Sequence, residues 1–223
     1  MVTRRRTYRR RPRTHRRRIR RYYKRHVPRS RTNKQFIKIR KTFSLVTGTV
    51  PTAGLTDISA IICDNPADPV VSPTGTGAFT EWSNIITLYD YYRVCAIKIK
   101  VFPVANYADA NVLAQTTQYY QPVFCVHDVN STTIPSANLT SDNFLQYGNC
   151  KVYNQYRPFR YYRKMWRTIQ TAGSTSDTRG YKPTASPFAT QCIGLLYTGL
   201  FKQSNMEFST ILVTFYLHMK SRN

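Results

Sequence analysis

The sequence predicts an all-β fold, an antiparallel sandwich or barrel, preceded by a long basic N-terminal arm. Three observations predict it. Twenty of the 34 Lys and Arg residues lie within positions 1–41, and the first acidic residue is Asp57. Beyond that segment apolar residues recur mainly with a period of two, the mark of half-buried strands. The runs are strand-sized and separated by loops rich in Ser, Thr, Pro and Asn, with one segment of helical period. The 182 residues after position 41 hold 14 basic and 10 acidic groups, a net of +4 against +24 for the chain. That length suits one domain burying roughly 70% of its unfolded surface.

The arm, MVTRRRTYRRRPRTHRRRIRRYYKRHVPRSRTNKQFIKIRK, carries +20. Such a block repels itself and has little apolar area to offset ordering entropy, so residues 1–41 are expected to be disordered and to require a polyanion, nucleic acid above all. Phosphate neutralisation is assigned to Arg4, Arg5, Arg6, Arg9, Arg10, Arg11, Arg13, Arg16, Arg17, Arg18, Arg20, Arg21, Lys24 and Arg25. Tyr8, Tyr22 and Tyr23 are placed to stack on bases, while Pro12 and Pro28 interrupt any continuous helix. The clusters Arg4 to Arg6, Arg9 to Arg11, Arg16 to Arg18 and Arg20-Arg21 also fit a nuclear localisation signal. The two readings are compatible.

The domain is expected over 42–223. Ile37, Ile39, Phe43 and Leu45 share one parity, but Lys41 breaks the pattern, so the first strand is expected to begin just after it. A weaker run at Ile58 to Cys63 closes at Asp64-Asn65-Pro66. From Thr80 to Tyr91, Trp82, Ile85, Ile86 and Tyr89 suit one helical face, with Thr80 or Ser83 as cap. The next strand puts Cys95, Ile97, Ile99 and Val101 on one face and Lys98 and Lys100 on the other. PVFCVHDV, from Pro122, reads as a strand buried on both faces. The 130–148 loop is too long for a simple hairpin and suggests a surface feature. After the aromatic and basic stretch 151–169 come an apolar run from Gln191 to Lys202 and a last strand with Ile211, Val213, Phe215, Leu217 and Met219 on one face.

Catalytic chemistry is not expected. The domain has only His127 and His218; Cys125 and His127 would share a strand face while Asp128 points away. The carboxylates are scattered, no phosphate loop or nucleophile elbow occurs, and neither metal nor cofactor is expected. Cys63, Cys95, Cys125, Cys150 and Cys192 are odd in number and widely spaced, which favours buried free thiols over a disulfide framework. No apolar run approaches the ~18 residues of a membrane span, so membrane insertion is not expected. The N-terminus lacks the apolar region of a secretory signal, which points to a chain made and used inside cells. The sequons at Asn130 and Asn138 then read as chance matches.

The second basic feature is KVYNQYRPFRYYRKMWR, residues 151–167. Arg157, Arg160, Arg163, Lys164 and Arg167 interleave with aromatics that include Tyr161, Tyr162 and Trp166. Guanidinium groups contact phosphates and aromatic faces accept unstacked bases, yet the same residue types enrich subunit interfaces. The favoured reading is that the aromatics are core or subunit-interface residues with the Arg groups at the rim, and direct DNA contact is the alternative.

With the basic arm and β domain in place, particular residues resemble a family. YDYYRVCAIKIKVFP, from Tyr89 to Pro103, is similar to the aromatic-Tyr-Arg segment leading into a Lys-bearing strand in capsid proteins of circoviruses and cycloviruses. The terminal FSTILVTFYLHMK resembles their last strand, and Thr171-Ala172-Gly173 sits where a similar tripeptide is common. The resemblance implies a non-enzymatic, single eight-stranded jelly roll, sixty copies of which form a T=1 icosahedral shell. It also implies an arm facing a circular single-stranded DNA genome, nuclear import receptors as partners, and residence in the virion and host nucleus. Anionic cell-surface glycans are a further candidate partner. Sixty arms would supply about 1,200 positive charges, comparable with a genome on the order of one to two thousand phosphates. The competing class is a cellular nucleic-acid-binding protein of ribosomal or chromatin type with a β-sandwich domain. Such a module gains by spreading basic charge over its own surface, whereas this domain is close to neutral.

Overall fold

Alternation of apolar and polar residues builds two antiparallel sheets that face one another. The computed structural model describes residues 34–47, 55–72, 77–104, 122–134, 140–166, 170–171, 174–175, 180–201 and 207–221. The strands are β1 (Lys34–Val46), β2 (Leu55–Cys63), β3 (Val70–Ser72), β4 (Tyr91–Pro103), β5 (Pro122–Asp128), β6 (Lys151–Asn154), β7 (Phe159–Lys164), β8 (Gln170–Thr171), β9 (Ser174–Thr175), β10 (Lys182–Pro183), β11 (Cys192–Phe201) and β12 (Glu207–Lys220). Among the described residues two short helices, α1 (Trp82–Leu88) and α2 (Ser141–Gln146), interrupt them.

The first sheet runs β1–β12–β4, with β7 and β10 both paired to the other side of β4. The second runs β3–β2–β11–β5–β6, and β8 and β9 form a separate ribbon. Among the eight long strands the chain changes sheet at every connection except that from β5 to β6. If the eight long strands are counted in chain order, the sheets read first–eighth–third–sixth and second–seventh–fourth–fifth. This interleaving is the jelly roll.

The inward parity of each sheet supplies the core. Ile97 and Ile99 of β4, Val213, Phe215 and Leu217 of β12, and Ile193 and Leu195 of β11 are fully buried between the sheets. The second sheet is also covered on its outer side, where Phe124, Val126, Cys192 and Leu196 pack beneath Ile134 and Phe144 of α2. That second layer is why β5 is buried along both faces, as its continuous apolar run predicts. Gly194 permits the close approach, because a Cβ there would collide with Ile134 Cδ1 and press on Phe144 Cζ.

Three local expectations are corrected. β1 begins at Lys34 and pairs with β12 without interruption as far as Leu45, so Lys41 does not start the strand after it. Lys41 sits on the inward parity, its Nζ donating to the carbonyls of Gly77 (2.8 Å) and Ala78 (2.9 Å). On β4, Cys95 does not share the face of Ile97. The register against β12 shifts between Tyr216 and Leu217, leaving Cys95 as the extra residue of a bulge that reverses the parity before it. The N-cap position of α1 is Glu81, not Thr80 or Ser83, and no side chain caps it. The 130–148 loop holds α2, whose first turn is capped by Thr140 accepting from Asn143 N–H at 3.4 Å. The sequence expectations for residues 1–33, and for Arg167, lie outside the described residues.

Candidate nucleic-acid interface

The register of the first sheet gathers basic residues that are far apart in sequence. Lys98 of β4 stands between Thr214 of β12 and Tyr162 of β7, and Lys100 stands between Leu212 and Arg160. Arg40 extends the Lys98 row opposite Thr214, and the adjoining row sets Lys38 opposite Tyr216 and Lys164 opposite Ala96. All of these point away from the inter-sheet core, because Ile97, Ile99 and Val101 occupy the inward parity of β4. Aromatic rings share that outer face. Phe36 stacks on Tyr216 at 6.0 Å, Tyr162 meets Tyr216 edge-on at 6.2 Å, and Lys38 Nζ lies 5.4 Å from the Tyr216 ring centre. Phe36 and Tyr162 are 59% and 50% exposed, more than core packing would leave.

The 151–167 segment is divided by this geometry. Arg160, Tyr162 and Lys164 reach the outer face. Tyr161 is core, and Arg163 turns inward with it: Nε donates to Tyr161 Oη at 2.8 Å and Nη2 to the Asn149 carbonyl at 2.6 Å. Burial pushes the Tyr161 phenol up to about 12, against the lowering pull of that guanidinium. Arg157 is exposed in the turn after β6, and Trp166 is 70% exposed beyond β7. The Trp166 backbone is held at both ends by Gln191, which accepts from its N–H and donates to its carbonyl. The arm positions from Arg4 to Arg25 lie outside the described residues.

The groups that might have carried chemistry are built into the frame. His127 is buried, with Nε2 3.0 Å from Gln191 Oε1 and its backbone paired to the Asn149 amide. Desolvation lowers its pKa, partly offset by the Gln191 bond. Asp128 points to the opposite side and accepts from Tyr147 Oη at 3.1 Å, so Cys125, His127 and Asp128 do not converge. Among the described residues no cluster of His, Cys, Asp and Glu could hold a metal ion. All five cysteines are free thiols. Burial pushes Cys63 up to about 12 and Cys125 and Cys192 well above the ordinary thiol range, which keeps these three as unreactive packing groups.

One cluster has no signature in the sequence. Lys182 Nζ is 2.7 Å from Asp64 Oδ2 and donates also to the Phe188 carbonyl and Thr190 Oγ1, each at 3.0 Å. Asp64 Oδ1 accepts from the N–H of Thr190 and Gln191. Both charged side chains are under 5% exposed. Lys182 belongs to the edge of the first sheet and Asp64 follows β2 of the second, so the pair clamps the sheets together across 118 residues of chain. A contact of that separation leaves no local pattern to read.

A jelly roll of this topology is an architecture found in viral coat subunits. Solved structures share it. The BFDV capsid protein, from a 60-mer crystal structure, matches with a TM-score of 0.56 and 15% identity over 87% of this chain and 98% of that one. The decameric BFDV form gives 0.50 and 12%, covering 84% and 99%. Tobacco necrosis virus gives 0.50 and 9%, covering 86% and 84%. A search of the curated proteins finds no match. At these identities the likeness carries the fold; the family is carried by sequence. The circovirus capsid protein profile matches residues 3–223, and the chain belongs to that family. It is a capsid protein, and that membership implies a structural, non-enzymatic role.

Proposed function

We propose that this capsid protein closes into a T=1 icosahedral shell of sixty copies, packages circular single-stranded DNA through its basic arm, and uses the same arm for nuclear import. The observation that carries the reading is the pairing of a capsid jelly roll with a segregated charge block. Residues 1–33 hold 16 basic groups and no acidic one, while 34–223 carry the remaining +8. A shell lined by such segments neutralises a polyanion without reading its sequence. The 60-mer BFDV particle shows that a subunit of this fold can close at that copy number. Import receptors read clustered charge, which Arg16, Arg17, Arg18, Arg20 and Arg21 provide. Anionic glycans are proposed as a partner during attachment to cells, on the strength of net charge alone.

Size-exclusion chromatography, electron microscopy and the 260/280 nm absorbance ratio of purified particles test the assembly and packaging parts together. Full-length protein should give nucleic-acid-filled particles of one diameter. Deletion of residues 1–33 should give particles of that diameter with a protein-like ratio. A full-length chain that elutes only near its monomer mass of 25.9 kDa, with or without DNA, contradicts the reading. For import, residues 1–33 fused to a cargo too large for passive diffusion should carry it into nuclei, and uniformly cytoplasmic cargo refutes that part.

A further inference from the structure

The second sheet carries a pair of thiols that neither assembly nor packaging uses. Cys63 of β2 and Cys192 of β11 are direct cross-strand partners. Two backbone bonds fix the kind of pair they make. Asp64 N–H donates to the Gln191 carbonyl at 3.1 Å, so the neighbouring Asp64–Gln191 pair is the hydrogen-bonded one. Cys63 N–H turns away from β11 and donates to the Pro69 carbonyl at 2.9 Å. Cys63 and Cys192 therefore stand in a non-hydrogen-bonded position, which brings Cα atoms to about 4.5 Å and side chains closest together. A disulfide accepts Cα separations of about 4.4–6.8 Å.

Both thiols also leave the sheet on the same side. They pack in the outer cluster with Ile61, Phe144 and Leu196, whereas their strand neighbours Ile62 and Ile193 belong to the inter-sheet core. The other cysteines lack this arrangement. Cys125 faces the inter-sheet core while Cys150, just before β6, packs against the outer cluster, so the two lie on opposite faces. Cys95 belongs to the first sheet.

We infer that Cys63 and Cys192 form a redox-responsive staple, two free thiols in reducing surroundings and one cross-strand disulfide in oxidising ones. A small disulfide such as oxidised glutathione balances the exchange. One cysteine thiolate attacks it and expels a glutathione thiolate, leaving a mixed disulfide. The second cysteine thiolate then attacks the protein sulfur and expels the other glutathione, so one Cys63–Cys192 bond and two glutathione thiols result. The closing step requires the Cys63 Sγ to give up its bond to the Asp68 carbonyl, now 2.9 Å long. In the closed domain burial keeps both thiols protonated and out of reach, so exchange proceeds through local opening of the 64–69 turn that holds the Cys63 thiol.

A coat subunit suits such a device, because it is made among reducing thiols and its particle passes through oxidising surroundings. The position suits it too. The pair lies one residue from the Asp64–Lys182 clamp, so the clamp ties the two sheets to each other while the staple ties β2 to β11 within the second. Closing the long loop from residue 63 to residue 192 constrains the unfolded chain and so favours the folded one.

Full-length protein is incubated in glutathione buffers graded from reducing to oxidising, in urea below its unfolding midpoint to speed local opening. Free thiols are then blocked with N-ethylmaleimide under denaturing conditions and the peptides mapped without reduction. A Cys63–Cys192 peptide lighter by two hydrogens than the separate thiols, growing with oxidation and lost on adding reductant, supports the staple. The oxidised protein should melt higher than the reduced one by roughly 10 °C. Cys63→Ala and Cys192→Ala should each abolish that difference while melting near the reduced wild type. Glutathione adducts on Cys63 or Cys192 without the linked peptide overturn the proposal, since the thiols were reached and did not pair. Thiols that stay free throughout the series, or linkage through other cysteines instead, overturn it equally.

Discussion

Asp64 and Lys182 are the residues on which the joining of the two sheets turns. Removing either charge alone strands the other in a site under 5% exposed, so Asp64→Ala should cost about 3–5 kcal/mol in chemical denaturation. Asp64→Asn combined with Lys182→Met should recover much of that loss. Asparagine keeps an acceptor for the N–H groups of Thr190 and Gln191 while both charges leave together. A double variant no better than the single one would mean that the charge itself, not the satisfied backbone, does the joining. His127 makes a pH-dependent contribution of calculable sign. Its pKa is lowered by burial, so the unfolded chain binds more protons below about pH 6.5 and stability falls as pH drops through that value. Relative to His127→Gln, wild type should lose stability from about pH 6.5 downward, at no more than ~1.4 kcal/mol per pH unit. Urea titrations of both proteins across that range check it, and a difference independent of pH would sink the assignment.

Among the elements, β1 makes the clearest demand. Its residues Lys34 to Lys41 pair with Lys220 to Val213, and Ile39 is 1% exposed in the core. Deleting residues 1–33 leaves that ladder whole, whereas deleting 1–41 removes over half of the strand and uncovers β12. The shorter deletion should therefore melt like the full chain, while the longer one should melt several degrees lower or fail to fold, as thermal scans of the two would show; equal melting would place the start of the domain beyond Lys41. The sequence misled at this boundary because a lysine on the inward parity looks like a pattern break, and nothing local announces that its ammonium caps two carbonyls 36 and 37 residues away. Elsewhere, except before the Cys95 bulge of β4, apolar spacing is enough to give element type and face. The faces of β12, the double burial of β5 and the existence of α1 follow from apolar spacing alone. What spacing could not supply was register. Lys98 and Lys100 were visible as one outward pair and Arg160 to Lys164 as another basic run, but only the β4–β7 pairing puts them on one surface. The Cys95 bulge and the Asp64–Lys182 clamp were hidden for the same reason, since each is set by a partner distant in sequence.

For the whole molecule the governing quantity is the uneven charge. Residues 1–33 bring 16 positive charges and the rest of the chain a net of +8, so on the proposed packaging a closed shell without nucleic acid would concentrate repulsion inside its cavity. Two agents relieve that repulsion. Salt shortens the screening length from about 10 Å at 0.1 M to about 3 Å at 1 M, and a single strand replaces many mobile counterions with one bound polyanion. Full-length protein stripped of nucleic acid should therefore assemble poorly at low salt. Either raising salt or adding a single-stranded DNA of arbitrary sequence should drive it into shells. Protein lacking residues 1–33 should assemble with much weaker dependence on both, because its remaining charge is spread over a folded surface. Light scattering across a salt series, with and without DNA, separates the cases. If the two proteins respond alike to salt, the resistance to closure lies between the domains themselves, and the basic face of the first sheet, not the arm, is where the repulsion would have to be sought.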